Sequence, residues 1–182
     1  MIPVQVWLEA ALRSFQDVAA FMQLPWSWPA AESAHFIGLT LLLGSIGAWD
    51  LRLIGLLKDV PIAAFHRLVP FAVLGLAINA VSGTLFLMTS PDQYVYNPAF
   101  HLKVLCLLLA GLNVAFFYVA LFRRVSTLGP GAPPPAFARL SGALSLVLWI
   151  TVIVCGRMIT FFRPAVCNPG EAIGVLAECI VR

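Results

Sequence analysis

Four long stretches of apolar residues, separated by short polar connections, dominate the pattern of the chain. They lie at about residues 33–57, 63–88, 99–122 and 137–162. Each stretch is long enough to cross roughly 30 Å of hydrocarbon at a helical rise of about 1.5 Å per residue. None shows the two-residue alternation that is typical of strands. The pattern therefore predicts an all-α fold, in which residues 33–163 form a four-helix transmembrane bundle with up-down topology.

The first 32 residues carry a different pattern. Between Val4 and Met22, apolar residues recur at helical spacing and polar residues take the opposite face. This predicts an amphipathic helix that lies on the membrane surface or on a partner protein. Trp26 and Trp28 follow, and their indole rings suit the boundary between lipid headgroups and hydrocarbon. The segment lacks the basic start and apolar core of a secretory signal, so it is not interpreted as one.

Residues 164–182 form a tail beyond the fourth span. The run C-N-P-G-E at 167–171 predicts the start of a short outer helix that ends near Glu178. A complete helix would hold Cys167 and Cys179 about 15 Å or more apart, which is too far for a disulfide. An oxidising compartment favours the disulfide instead. Both outcomes stay open, since a shorter helix that doubles back would satisfy both.

Composition agrees with a membrane protein, because 61% of the residues are hydrophobic and only 10% are charged. A soluble domain is about a quarter charged. The mean hydropathy is +0.95. The net charge of +3 comes from basic residues beside the apolar spans rather than from a basic patch, so we expect no nucleic-acid partner.

The basic residues near the span ends predict the orientation. They flank the first and third connections, at Arg52, Lys58, Arg67, Arg123, Arg124 and Arg139. The second connection, 89–98, has an Asp and no Lys or Arg. By the positive-inside rule the first and third connections are cytoplasmic and both termini lie outside. Three arginines near the other end weigh against this orientation: Arg157, Arg163 and Arg182.

Two of the three histidines lie at matching depths. His35 is in the first turn of span one and His101 is in the first turn of span three, and both spans start on the same side. First and third helices are diagonal neighbours in an up-down bundle, so we expect the two rings to face each other across the core. That arrangement suits a haem b, whose iron takes two axial imidazoles. The alternative for both His35 and His101 is a hydrated ring at the membrane interface without a ligand role. His66, at the other end, is expected to be structural or interfacial.

Other residues near that depth complete the haem hypothesis. Gly38, one turn after His35, would let the macrocycle approach the helix. Cations and hydroxyl groups for the propionates are expected from Lys103, Arg157, Tyr94 and Tyr96. Haem b is thus the predicted cofactor, and a chain without any cofactor is the alternative.

A copper site is a second hypothesis for the same region. Cys106 and Cys155 lie about seven residues in from the outer ends of spans three and four, and Met88 and Met158 lie nearer that end. Thiolate, thioether and imidazole are ligands suited to Cu(I). Free cysteines are also common core residues, and the spacing forms no motif.

Polar residues inside the spans require an explanation, because they are costly in lipid. Asn79 and Asn113 fall near the middle of spans two and three, where an interhelical hydrogen bond is expected. Asp50 and Arg52 stand two residues apart, so they point in different directions and need separate partners.

Four segments carry a family resemblance: H-F-I-G-L-T-L-L-L-G-S-I-G-A-W-D-L-R-L-I-G-L (35–56), N-P-A-F-H-L-K (97–103), A-G-L-N (110–113) and G-R-M-I (156–159). Over about residues 33–162 the chain resembles small uncharacterised four-span bacterial inner-membrane proteins. It is more loosely similar to the membrane domain of copper-resistance protein D, which has more spans. The resemblance implies a bacterial inner membrane and a link to copper or redox proteins. It provides no catalytic residues to transfer.

Three functions follow as hypotheses. The first is a haem-b-binding or redox-associated subunit of a larger membrane complex, which passes electrons near the periplasmic face. The second is a cofactor-free subunit that anchors such an assembly, and the third is copper handling or transport. We expect contacts with the lipid bilayer and with other membrane or periplasmic subunits. No nucleotide loop, serine elbow, zinc spacing or catalytic carboxylate pair is present in the sequence, so an independent enzyme is not predicted.

Overall fold

The computed structural model describes residues 4–166 and 179–180, and this part of the chain is almost entirely helical. The helices are α1 (Val4–Arg13), α2 (Gln16–Met22), α3 (Ser27–Ile54), α4 (Ile62–His66), α5 (Val69–Thr89), α6 (Pro91–Val95), α7 (Pro98–Phe116), α8 (Phe122–Val125) and α9 (Ala136–Phe161). One π-helical turn, Phe117–Leu121, joins α7 to α8. The predicted all-α class is confirmed, and the extended pairing within the described residues is a single bridge between Val166 and Ile180.

Within residues 4–166 and 179–180, four helical segments are long and apolar enough to cross a membrane, so the chain is a multi-pass membrane protein. They are Ser27–Ile54, Ile62–Thr89, Pro98–Val125 and Ala136–Phe161. The first begins six residues before the predicted start at 33, because the helix continues through Trp28 and Glu32 beyond its apolar part. Pro29 is tolerated there, in the first turn of α3.

The second and third spans are interrupted. The second breaks at Arg67 and Leu68, between α4 and α5, because Pro70 has no N–H to donate to the His66 carbonyl and its ring would clash with that carbonyl in a continuous helix. The third contains the π-helical turn. At the end of α3, Gly55 adopts a φ of +104°, the left-handed conformation that commonly ends a helix.

The four spans form one bundle. α3 packs along α5 and α9, and α7 packs along α9, so the order across the bundle is α5, α3, α9, α7. All four helices contribute to the central apolar cluster, whose buried members are Leu42, Ala72, Cys106, Ala110, Leu148, Trp149 and Val152. Side chains on the outer surface are apolar and exposed, as expected against lipid; Val119 is 89% exposed and Leu108 is 63% exposed.

The α3–α5 contact depends on two glycines. A Cβ atom on Gly75 would lie 2.5 Å from the carbonyl oxygen of Gly38 and 2.6 Å from the amide nitrogen of Leu42. The two backbones therefore touch, as small residues allow in membrane helix pairs. Helix α9 approaches α3 in a similar way at Gly142, where a Cβ atom would lie 2.9 Å from the Leu53 Cβ.

We call the end that contains α4 and α8 the basic end, because Lys58, Arg67, Arg123 and Arg124 lie there. Arg52 is only 1% exposed and hydrogen-bonds to two loops at this end of the bundle. Its Nε donates to the Val60 carbonyl at 2.7 Å, and its Nη2 donates to the Gly129 carbonyl at 3.3 Å. Arg52 therefore joins the first connection to the third.

We call the opposite end the α1 end, because α1, α2 and α6 cover it. The sequence pattern predicted one amphipathic helix between Val4 and Met22, but two helices form, with a break at Ser14 and Phe15. The Tyr96 hydroxyl donates to Glu9 of α1 at 2.9 Å. The predicted outer helix in the tail and Cys167 lie outside the described residues, whereas Cys179 is disulfide-bonded.

Candidate functional site

His35 projects from α3 toward α5 at the α1 end. Its Nδ1 lies 2.8 Å from the Ser82 hydroxyl oxygen. That hydroxyl donates to the Ile78 carbonyl at 2.7 Å, so its oxygen accepts the Nδ1–H of His35. The ring also packs on Phe86, with centroids 5.7 Å apart. His35 is therefore fixed in one tautomer, and its Nε2 keeps a lone pair for a ligand.

His101 has a different partner. Its Nε2 lies 2.8 Å from the Val95 carbonyl at the end of α6, and a carbonyl oxygen only accepts, so Nε2 carries the proton. Within the described residues, no hydrogen bond or ring contact joins His101 to His35. The structure thus places both histidines at the α1 end but turns the two rings toward different neighbours.

Gly38 does not have the role that the haem hypothesis gave it. A Cβ atom there would lie 2.6 Å from the Asn79 side-chain nitrogen and 3.0 Å from the Gly75 carbonyl oxygen. The open side of Gly38 is filled by α5, so no macrocycle can approach the helix at that point. The prediction that Gly38 lines a haem site is therefore wrong for this packing.

The two in-span asparagines differ from each other. Asn113 forms the expected interhelical pair, since its Nδ2 donates to the Ser141 carbonyl at 3.0 Å and its Oδ1 accepts from the Ser141 hydroxyl at 2.9 Å. Asn79 donates to the Gly75 carbonyl of its own helix at 2.9 Å. The prediction of an interhelical bond is confirmed for Asn113 and is wrong for Asn79.

Lys103 lies between the histidine and the cysteines. Its half-buried ammonium group lies beside Gly156 of α9, 3.6 Å from where a Cβ atom would stand. The ammonium charge of Lys103 is close enough to act on the His35 ring. A cation thus lies beside the candidate ligand, as the propionate hypothesis requires.

The candidate copper ligands are only partly together. Cys106 and Cys155 are free, buried thiols on the adjacent helices α7 and α9. Met158 is 49% exposed, and Met88 packs instead against the cluster around Tyr96. Among residues 4–166 and 179–180, no group of three or more His, Cys, Asp or Glu side chains is close enough to hold a metal ion.

The remaining propionate candidates lie at the α1 end in three different environments. Arg157 is exposed and its guanidinium lies 4.7 Å from the centre of the Phe161 ring, a cation–π contact. Tyr96 is buried and its hydroxyl is already committed to Glu9. Burial, with the nearby Glu32 carboxylate, raises the pKa of Tyr94 to about 12. Tyr94 therefore stays protonated at physiological pH and keeps a hydroxyl to donate.

His66 lies at the basic end, as expected, with its ring among aromatic side chains. Its centroid is 5.9 Å from that of Trp49, 5.2 Å from Phe122 and 6.4 Å from Tyr118. Tyr118 lies within the π-helical turn and Phe122 directly follows it, and such turns are frequent at functional sites.

Two polar residues that the sequence reasoning did not single out close the α1 end. Gln93 donates to the carbonyls of Ile159 and Phe162 at 2.7 and 2.8 Å, and Asn97 donates to the same two at 3.3 and 2.9 Å. They satisfy the last carbonyl groups of α9, which have no partner inside the helix. The sequence signal that could have identified Asn97 is the Asn97-Pro98 pair, an N-cap residue before a proline at the first helical position.

Comparison with known proteins gives one match. No curated protein and no solved structure matches the chain. The family model of DUF6644, described as a family of unknown function, matches residues 28–162. That range runs from the first turn of α3 to the residue after α9, so it covers the whole transmembrane bundle. The chain therefore belongs to the DUF6644 family of unknown function.

Proposed function

We propose that this protein is a redox-associated subunit of a bacterial inner-membrane complex, which binds haem b or another metal centre through His35. The supporting observation is the hydrogen bond from His35 Nδ1 to Ser82. Histidines that bind metals almost always donate their second ring nitrogen to a fixed acceptor, which sets the tautomer and the ring orientation. Here the acceptor is held in turn by the Ile78 carbonyl.

The charge near His35 supports the same proposal. Lys103 brings a positive charge to the half-buried region between α7 and α9, and Tyr94 brings a protonated hydroxyl. Carboxylate groups of a bound cofactor would find both a cation and a hydrogen-bond donor there. A bound haem would supply reversible one-electron chemistry, and these residues would orient it and neutralise its propionates.

The second axial ligand does not fit as the sequence suggested. His101 donates its Nε2 proton to Val95, so a bis-histidine site within one chain requires His101 to leave that carbonyl. The alternative source of a second ligand is another subunit of the complex. The variant His101→Ala distinguishes these two sources of the second axial ligand. It should abolish a haem site formed within one chain and preserve a site that a partner subunit completes.

The purified protein is expected to show a Soret band that is lost in His35→Ala. Ser82→Ala should weaken cofactor binding by roughly 10-fold to 100-fold, since it removes the group that orients the ligand. Absorbance spectra of oxidised and reduced protein, with a haem titration of each variant, measure both effects.

His66→Ala is the matched control, because it removes an imidazole at the basic end and should leave the spectrum unchanged. A colourless protein without metal by elemental analysis would contradict the proposal. The same analysis tests the copper hypothesis, for which bound Cu(I) should disappear in Cys155→Ser. Cys106 and Cys155 are the buried thiols that support this alternative.

We propose that the basic end is cytoplasmic and that both termini are periplasmic. The basic end carries Lys58, Arg67, Arg123 and Arg124, whereas α6 and its flanking residues at the α1 end contain Asp92 and no Lys or Arg. Single cysteines at Ser126 and at Ser14, in a variant with the native cysteines replaced, should differ in labelling. A membrane-impermeant maleimide should react with residue 14 in intact cells and with residue 126 only after lysis. The opposite result would reverse the topology.

A cofactor-free anchoring subunit is the second candidate, and α1 favours it. The helix exposes Val4, Trp7 and Leu8, at 54%, 66% and 48%, while the Glu9 side chain faces the protein at 13% exposure. An outward apolar face at the α1 end suits lipid or a partner subunit. If partners co-purify in fixed ratio and retain their activity with the His35→Ala chain, the anchoring function is correct.

A further inference from the structure

A pocket of about 170 Å³ lies between α3 and α9, away from His35. Its apolar wall includes Leu43, Ile46 and Ile153, and Gly47 leaves one side open. Ile150 and Ile153 of its rim are also exposed on the outer surface of α9, at 58% and 38%. The pocket is therefore reached from the hydrocarbon of the membrane.

Two buried polar groups line this pocket. Asp50 is 3% exposed and Trp149 is 7% exposed. Neither the Asp50 Oδ2 nor the Trp149 Nε1 has a hydrogen-bond partner among the described residues, although the Ser145 hydroxyl lies beside the Asp50 carboxyl. A buried donor and a buried acceptor without partners are rare in folded proteins, and more so where water is absent.

We propose that this pocket binds the headgroup of an isoprenoid quinone or quinol. An apolar cavity of about 150 Å³ holds one benzene molecule, so the space suits a single six-membered ring. A ring carbonyl would accept from the Trp149 Nε1–H, and a quinol hydroxyl would donate to the Asp50 Oδ2. The isoprenoid tail would leave past Ile150 into the lipid.

The depth of the pocket separates this ligand from a phospholipid. Trp149 lies halfway along α9, where the charged headgroup of a phospholipid would be buried in hydrocarbon at high cost. A quinone headgroup is uncharged and moves within the hydrocarbon layer. The choice of a redox-active ligand rests on the proposed redox function, but the binding measurement does not depend on that function.

The test is equilibrium binding of a ubiquinone analogue with a decyl tail to the purified full chain, measured by isothermal titration calorimetry. Gly47→Leu fills the pocket and should abolish binding. Gly44→Leu is the matched control, one turn away on the same helix and outside the pocket lining. A Cβ atom at either glycine meets nothing within 4 Å, so both variants should fold. Equal binding by the two variants would overturn the proposal.

The polar contacts have their own test. Trp149→Phe should weaken binding of the oxidised analogue by about 10-fold, the effect of one lost buried hydrogen bond. Asp50→Asn should weaken binding of the reduced, quinol form by a similar factor, because a neutral amide oxygen accepts from the quinol hydroxyl more weakly than a carboxylate does. Asp17→Asn and Trp26→Phe, which change exposed residues of the same types, should leave binding unchanged. Decylbenzene, which has the ring and tail but no oxygen, should bind at least 10-fold more weakly. Equal affinity for decylbenzene would show an apolar cleft and reject the quinone.

The same titration with His35→Ala keeps this inference separate from the haem proposal. His35 is not among the pocket residues, so its loss should leave quinone binding unchanged. Quinone binding by a colourless protein would support the pocket and reject the haem. A Soret band in a protein that binds no quinone would reject the pocket alone.

Discussion

Gly75→Ala is expected to lower the free energy of unfolding by about 3 kcal/mol, the upper end of the usual cost of overpacking. The new methyl group would stand 2.5 Å from the Gly38 carbonyl oxygen and 2.6 Å from the Leu42 amide nitrogen. Both are backbone atoms, which cannot turn aside as a flexible side chain can. Helices α3 and α5 must therefore separate, and His35 would lose its alignment with Ser82. Unfolding in detergent mixtures with rising SDS, followed by circular dichroism, measures the effect.

Gly111→Ala is the control for this prediction, because a Cβ atom at position 111 meets nothing within 4 Å. Alanine is also the better helix former, so this variant should be as stable as the parent or slightly more stable. Equal destabilisation of the two variants would mean that α3 and α5 do not approach as closely as described.

Arg52→Ala is expected to cost about 3 kcal/mol, since hydrogen bonds to charged groups contribute about 1.5–3 kcal/mol each. The change removes the donors to Val60 and Gly129, so the two loops at the basic end then depend on the backbone hydrogen bond from the Gly131 N–H to the Lys58 carbonyl. Arg52→Lys should recover part of the loss, because an ammonium group keeps the charge but lacks the fork that reaches two carbonyls. The same SDS titration measures the three proteins.

Arg67→Ala provides the comparison at the same end of the bundle. Arg67 is exposed, so its removal changes the charge near the membrane by the same amount with little effect on packing. A similar loss of stability in Arg52→Ala and Arg67→Ala would show that charge, and not the link between the loops, determines the effect.

The four spans were predictable because hydrocarbon thickness imposes a length that is visible in the sequence. Their ends were less predictable, since hydropathy marks the part of a helix in lipid and not where the helix begins. Span one starts at Ser27 because its first turns continue through polar and interfacial residues. The break before Pro70 had a local signal, whereas the π-helical turn at Phe117–Leu121 had none.

The sequence predicted the depth of the two candidate histidines in the bundle but not the direction in which their rings point. The positions of His35 and His101 in their helices placed both at one end of the bundle. The direction of each ring depends on how the helices are rotated, which the Gly38–Gly75 contact determines for α3 and α5. The Val95 carbonyl that His101 meets belongs to α6, a short helix in a segment that the hydropathy pattern described only as a connection.

The way α1 is attached affects how the protein is made. Glu9 pairs with Tyr96, 87 residues later in the chain. At a synthesis rate of roughly 5–20 residues per second, α1 exists for roughly 4–17 seconds before that partner has been translated. The exposed apolar face of α1, with Val4, Trp7 and Leu8, allows the helix to bind the bilayer surface during this interval. Docking of the first helix is then a late event of biogenesis, completed only after the second span has been inserted.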